Sequence, residues 1–208
     1  MVYKNNIEYG HGITNRMTGG AHDGQCLQST LSGGMGEGWS DTFAVYLQRK
    51  ETDTRNDDVV IGDYVIGDKK GIRSVPYSTD MNRNPLLFSS LQGKWEVHDI
   101  GELWCTMLNE VYWNLVDKLG FSSNWHDSKQ VKGNIVAMQA IIGGLAIQPC
   151  NPDFINARDA IIQAEMNYYG GSHACEIWKA FAKRGMGVDA TTDGSTFKDG
   201  FNIPKECL

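Results

Sequence analysis

The segment 97–119 constrains the fold more than any other stretch. Ile100, Trp104, Met107, Leu108, Val111, Leu115 and Leu119 recur at three- and four-residue intervals, and Gly120 follows as a stop. This spacing predicts a long helix with a near-continuous apolar face. Such a face must be covered, and the rest of the chain supplies further helices to cover it. The fold class expected is mainly α, with a small irregular or β-hairpin region.

Helical spacing recurs elsewhere. Residues 3–17 read as a short helix before Gly19-Gly20, weakened at Gly10 by about 1 kcal/mol relative to alanine. Residues 19–36, rich in Gly and Ser, read as a surface loop, with a helix from Glu37 to about Lys50. Three more helices are expected. One runs from near Asp127, with Gln130 in a capping box, to Ile147. Another is capped by Asn151 with Pro152 at its first position and runs to Tyr169. The last is capped by Ser172 and runs to Lys183. Between residues 51 and 95, Val59-Val60-Ile61 and Tyr64-Val65-Ile66 read as short strands in an otherwise irregular, cleft-forming region. The tail after Gly187 is polar with few anchors. Trp95, Trp104, Tyr112, Trp113 and Trp125 are expected in the core, and His22, His126 and His173 at the surface.

Composition removes several classes. At 208 residues and 41% hydrophobic content, a packed core is within reach. A net charge of -6 argues against nucleic acid and anionic membrane surfaces as partners. The longest apolar run, Ile135 to Ile147, contains Gln139 and two glycines and falls short of the ~20 residues a membrane span needs. Met1 to Asn6 carries no apolar segment of a secretory signal. The five cysteines form no CxxC pair or compact metal cluster, and Cys105, inside the apolar helix, reads as a buried thiol.

Chemistry concentrates near the start. Ile7-Glu8-Tyr9-Gly10-His11 has the form of H-E-x-x-H, in which two His on one helix face grip zinc and the Glu between them is a general base. Glu8 and His11 are in place, and Ile7, a hydrocarbon, stands at the first ligand position. Glu37 and Asp41, four apart after a glycine-rich turn, share a helix face. They suit a third ligand and an acid that hydrogen-bonds a ligating imidazole. A solvated acidic face is the plainer alternative, and it fits poorly beside Trp39 and Phe43. His98 opens the long helix, where the macrodipole favours a neutral ring. It is either an oxyanion donor or a helix-start His with no role. Arg73 either meets a substrate carbonyl or pairs with a loop carboxylate, and the residues alone favour the second.

The chain resembles the fungalysins, zinc metalloendopeptidases of fungi with a thermolysin-like fold. The resemblance rests on Gly12-Ile13-Thr14-Asn15-Arg16 with Thr18-Gly19-Gly20, on Ser32 to Asp41, and on Gly71-Ile72-Arg73 with Pro76 to Met81. It continues through Val97 to Trp104, Gln148 to Pro152, and Ile177 to Gly185. It implies that residues 1–208 are the C-terminal helical half of a thermolysin-like catalytic domain. Residues 1–50 would carry the zinc-site helices, 51–95 the cleft region, 96–187 a helical subdomain and 188–208 a tail. The family's propeptide and β-rich N-terminal half have no counterpart in these residues. The resemblance further implies Glu8 as catalytic base, His11 and Glu37 as zinc ligands, and Asp41 as the acid behind them. It implies His98 as transition-state donor, Arg73 as a cleft arginine near the substrate backbone, one Zn2+, protein or peptide substrates and an extracellular location. Cys150 and Cys175 occupy family-like positions and could pair. Ile7 departs from the family's first zinc His, and Gly10 from its usual Thr.

Two readings of different class follow. In one the chain is a zinc-dependent metalloendopeptidase; in the other it is a non-catalytic remnant or pseudoprotease that binds peptides or partners. Descent favours the first. The missing ligand favours the second for this exact chain, because loss of a group that merely supports a ligand already costs about 10–100-fold in metal affinity or activity. In either case the two site helices are expected to pack on the 97–119 helix, with Glu8, His11, Glu37 and His98 around one cleft.

Overall fold

The structure is a computed structural model that describes residues 2–20 and 24–208, with side chains from residue 7 onward. His22 lies outside the described residues. Seven α-helices carry the described chain: α1 (Val2–Met17), α2 (Thr30–Gln48), α3 (Asp63–Ile66), α4 (Val97–Leu119), α5 (Gly133–Ile147), α6 (Phe154–Tyr169) and α7 (Ala174–Lys183). Among the described residues the only sheet is an antiparallel pair, β1 (Thr191–Thr192) with β2 (Phe197–Lys198). The fold is therefore mainly α, as the apolar spacing requires. Among the described residues, no helix is long and apolar enough to cross a membrane.

Helix α4 is the axis. Trp104, Leu108, Val111 and Leu115 are fully buried along it, with Tyr46 of α2, Phe154 of α6 and Phe181 of α7 around them. Trp104 meets Trp39, Phe154 and Phe181 with ring centroids 5.4, 5.0 and 6.0 Å apart. Helix α2 packs along α4, while α1 packs chiefly on α2. Only one of the two helices bearing the motif residues thus rests mainly on the central helix, and α1 is carried on it as an outer layer.

Several expected boundaries move, each for a visible reason. Helix α2 begins at Thr30, not Glu37. Ser29 caps it: its hydroxyl accepts from Ser32 N–H at 3.1 Å, and Ser32 Oγ accepts from Ser29 N–H at 3.1 Å. Gly34, read as part of a loop, is an interhelical contact instead, as is Gly38 one turn on. A Cβ on Gly34 would stand 2.5 Å from Ile100, and one on Gly38 would stand 2.4 Å from the Gly101 carbonyl. Helix α5 starts at Gly133 rather than Asp127, and Gly133 N–H donates to the Gly120 carbonyl at 2.7 Å. Asn151 does not cap α6. It sits at φ 51°, where its side-chain oxygen accepts from Gln28 N–H, Ser29 N–H and Ser32 Oγ, and Asp153 caps the helix instead. Nor does Ser172 cap α7: His173 precedes the helix, and Ser172 donates to the Tyr169 carbonyl.

The strands expected at 59–61 and 64–66 do not form. Val59 makes a bridge to Tyr77, and Asp63–Ile66 is a single helical turn whose Tyr64 is 90% exposed. Trp95, expected in the core, is 80% exposed, and Trp125 is partly buried. His173 is buried rather than at the surface, its ring against Tyr169 and its N–H donating to Glu165. The tail is well anchored: Asp199 accepts from Ser89 N–H and Ser89 Oγ, and Cys207 joins Cys175. That bond overturns the pairing of Cys175 with Cys150. Cys150 instead joins Cys26, tying the chain after α1 to the α5–α6 turn. Cys105 is a free buried thiol.

Candidate active site

Gly10 explains how α1 reaches its place. A Cβ there would stand 2.7 Å from Ser40 Cα, so the helices touch through glycine, where a threonine would force them apart. The helix cost of that glycine is offset by close packing. Ile7, Glu8 and His11 then face Glu37 of α2 across a cleft of about 530 Å³. The chain between α3 and α4 adds Ile72, Arg73 and Ser74, and the start of α4 adds Glu96, His98, Asp99 and Glu102. The structure thus brings Glu8, His11, Glu37, His98 and Arg73 together around one cleft, with Asp41 behind its wall.

Glu37 is the hub. Its Oε2 lies 3.4 Å from His11 Nε2 and 3.5 Å from His98 Nε2. The His11 pKa is raised, first by its hydrogen bond to Glu37. Burial would push the Glu37 carboxyl up, but the His11 hydrogen bond and the charges of His11, His98 and Arg73 leave it lowered. His98 Nδ1 lies 2.8 Å from Glu96 Oε1, which fixes the ring at the first turn of α4. Glu96 is lowered, first by that same bond.

Asp41 is fully buried, and it serves the wall. Arg73 donates from Nε at 2.7 Å and from Nη2 at 3.1 Å to its two oxygens, and Tyr77 OH donates at 2.5 Å. Burial lifts the Tyr77 phenol well above its ordinary value, helped by the Asp41 charge. Burial alone would lower Arg73, yet the bonds to Asp41 raise it. Arg73 therefore does hold a carboxylate, the plainer of its two expected readings, although that carboxylate is on α2.

Glu102, one turn after His98, accepts from Ser74 Oγ at 2.7 Å and from Val75 N–H at 2.8 Å. Two buried carboxylates from two helices thus pin residues 73–77. The sequence reading missed Glu96 and Glu102 as part of the site. The i, i+4 spacing of His98 and Glu102 was the available signal for Glu102.

A zinc site of the expected kind takes three protein donors. Among the described residues, no group of three or more His, Cys, Asp or Glu is arranged to hold a metal ion. His11 and Glu37 are two suitable donors, and Ile7 puts hydrocarbon where the third belongs. The described residues do not fit the expected three-ligand set.

Comparisons with known proteins give the family. The family model of the fungalysin metallopeptidases (M36) matches residues 6–190. Extracellular metalloproteinase 4 of Arthroderma otae is 47% identical over 206 residues, covering 96% of this chain and 32% of its own length. Extracellular metalloproteinase 1 of Trichophyton rubrum is 48% identical over 204 residues, with the same coverages. Extracellular metalloproteinase 1 of Trichophyton equinum is 50% identical over 190 residues, covering 89% of this chain and 31% of its own length. The chain spans about a third of the length of these relatives. With the model matching most of its length, the chain belongs to the fungalysin metallopeptidase family.

Proposed function

We propose that the cleft is a peptide-binding site of the zinc metalloendopeptidase type, and that this chain binds a protein or peptide segment there without hydrolysing it. The observation that carries this reading is Ile7. It lines the cleft beside Glu8, His11 and Glu37, at the position from which a metal-binding imidazole would project. The groups suited to an extended peptide remain. The carboxylates of Glu8 and Glu37 can accept peptide N–H groups, and the half-exposed His98 can donate to a peptide carbonyl. In a hydrolytic version of the site Glu8 takes the place of the base and His98 that of the donor to the developing oxyanion. Here both are retained beside an incomplete donor set. Asp41 and Arg73 are the wall on which the cleft depends.

An extracellular location follows from two supports. The relatives are named extracellular, and two disulfides suit an oxidising compartment.

The test uses the parent chain and its Ile7→His variant. Binding of a fluorescein-labelled casein peptide is read by anisotropy, and hydrolysis of casein is measured with zinc in excess. The expected result is saturable peptide binding with no hydrolysis by the parent chain. Zinc-dependent turnover by the parent would sink the non-hydrolytic reading, and absence of peptide binding would sink the cleft assignment.

A further inference from the structure

We infer that in this chain one oxygen of the Glu37 carboxylate faces two imidazoles in place of a metal, so that the cleft is built and kept without zinc. The inference rests on the peptide-cleft reading only for what the site is for; the metal question stands on the donor chemistry.

One oxygen of Glu37 has His11 Nε2 at 3.4 Å and His98 Nε2 at 3.5 Å. These contacts set two imidazoles against the oxygen that a cation at this point would use. His98 is not a loose ring that merely drifts near, because Glu96 holds its other nitrogen at 2.8 Å. The four side chains form a continuous array, Glu96–His98–Glu37–His11, drawn from three helices and the turn that starts one of them.

Two of the described carboxylates near the missing donor are committed elsewhere. Asp41 takes Arg73 and Tyr77, and Glu102 takes Ser74 and Val75. Tyr9, two residues from Ile7, is 71% exposed and lines a separate apolar groove with Ile13 and Met17. Among the described residues no three His, Cys, Asp or Glu are arranged to hold a metal ion, and His11 and Glu37, the two donors the motif retains, are already in contact. His98 adds a second imidazole beside Glu37 from the first turn of α4.

The experiment measures zinc per chain by equilibrium dialysis, together with the thermal midpoint in EDTA and in excess zinc, for the parent and for Ile7→His. The parent is expected to hold well under one zinc per chain, with Tm unchanged between EDTA and zinc to within about 1 °C. Ile7→His, given zinc about 100-fold above its Kd, is expected to hold one zinc and to gain ~5–10 °C. Stoichiometric zinc in the parent, with a Tm rise that EDTA removes, overturns the inference, whether or not His98→Ala then abolishes it. An Ile7→His protein that takes up no zinc also overturns it, because position 7 would not then be what denies the metal. Peptide anisotropy is read on the same samples. A parent that binds peptide and holds zinc sinks this inference alone, and a zinc-free parent that ignores peptide sinks the cleft assignment alone.

Discussion

Arg73 and Asp41 form a two-pronged ion pair in the cleft wall, with side chains 9% and 0% exposed. The pair fastens the 73–77 segment to α2, while Glu102 fastens it to α4. Asp41→Ala would strand the guanidinium and the Tyr77 hydroxyl together in the interior. We expect it to cost about 3–5 kcal/mol, as removal of one partner of a buried charge pair does. The measurement is the urea midpoint, converted with the parent slope. The double variant Asp41→Ala/Arg73→Met should recover part of the loss, because it removes the orphaned charge as well. A single-variant loss below about 1 kcal/mol would show that water reaches and satisfies the stranded groups.

Gly101 is the second point on which the site depends. A Cβ there would stand 2.7 Å from Glu37 Cβ, 2.7 Å from Gly38 N and 2.8 Å from the Gly34 carbonyl. Alanine favours a helix by about 1 kcal/mol over glycine, but the clash with backbone on the facing helix should outweigh it by a net ~1–3 kcal/mol. Because the contact falls on Glu37 itself, Gly101→Ala should also shift the His11 and His98 ring resonances in a histidine-edited NMR spectrum. A variant as stable as the parent, with unmoved resonances, would show that α2 and α4 separate freely.

These glycines show where the sequence was legible and where it was not. The apolar spacing of α4 and the Glu8, His11 and Glu37 placements could be read because they depend on local periodicity and fixed motif spacing. The start of α2 could not. Gly34 looks like a loop residue until Ile100 of the facing helix is seen against it, one turn before Gly38 meets Gly101 of that helix. Asn151 was misread for the same kind of reason: it is a plausible helix cap in isolation, yet its oxygen is claimed by Gln28, Ser29 and Ser32, more than a hundred residues away. His98 was readable as a helix-start residue, but its approach to Glu37 is a property of the packed α2–α4 pair. The disulfide partners of Cys150 and Cys175 are likewise long-range facts that no local pattern carries.

The β1–β2 turn offers a pH prediction away from the cleft. The Asp193 carboxylate accepts from Ser195 N–H and Thr196 N–H at 2.9 and 2.7 Å, and from Ser195 Oγ at 2.9 Å. These bonds, the Ser195 N–H first, lower its pKa to about 2 from 3.8. A carboxyl lowered by folding contributes stability that is fully present above its unfolded value. That contribution is lost as pH falls from 3.8 toward 2. Side-chain carboxyl NMR should place the Asp193 midpoint near the lower value. In Asp193→Asn, the acid-side loss of stability across this window should be shallower than in the parent. A midpoint at the ordinary aspartate value would mean that the turn opens in solution.

The disulfides set the last expectation. Cys26–Cys150 closes 124 residues of chain, and Cys175–Cys207 closes 32. Loop-closure entropy gives contributions of about 5 and about 4 kcal/mol respectively, before any native-state distortion. The Cys26→Ser/Cys150→Ser variant should therefore lose the more stability of the two double variants. The effect should reach the cleft, because that bond anchors the chain between α1 and α2, the helices that carry His11 and Glu37. Cys105 should stay unreactive toward a thiol reagent until the protein unfolds, since burial excludes the reagent and pushes the thiol pKa well above its ordinary value. Peptide mapping without reductant checks the set: two cross-linked pairs, 26–150 and 175–207, with Cys105 labelled only in denaturant. A 150–175 cross-link would overturn the pairing, and labelling of native Cys105 would show that the α2–α4 interface opens.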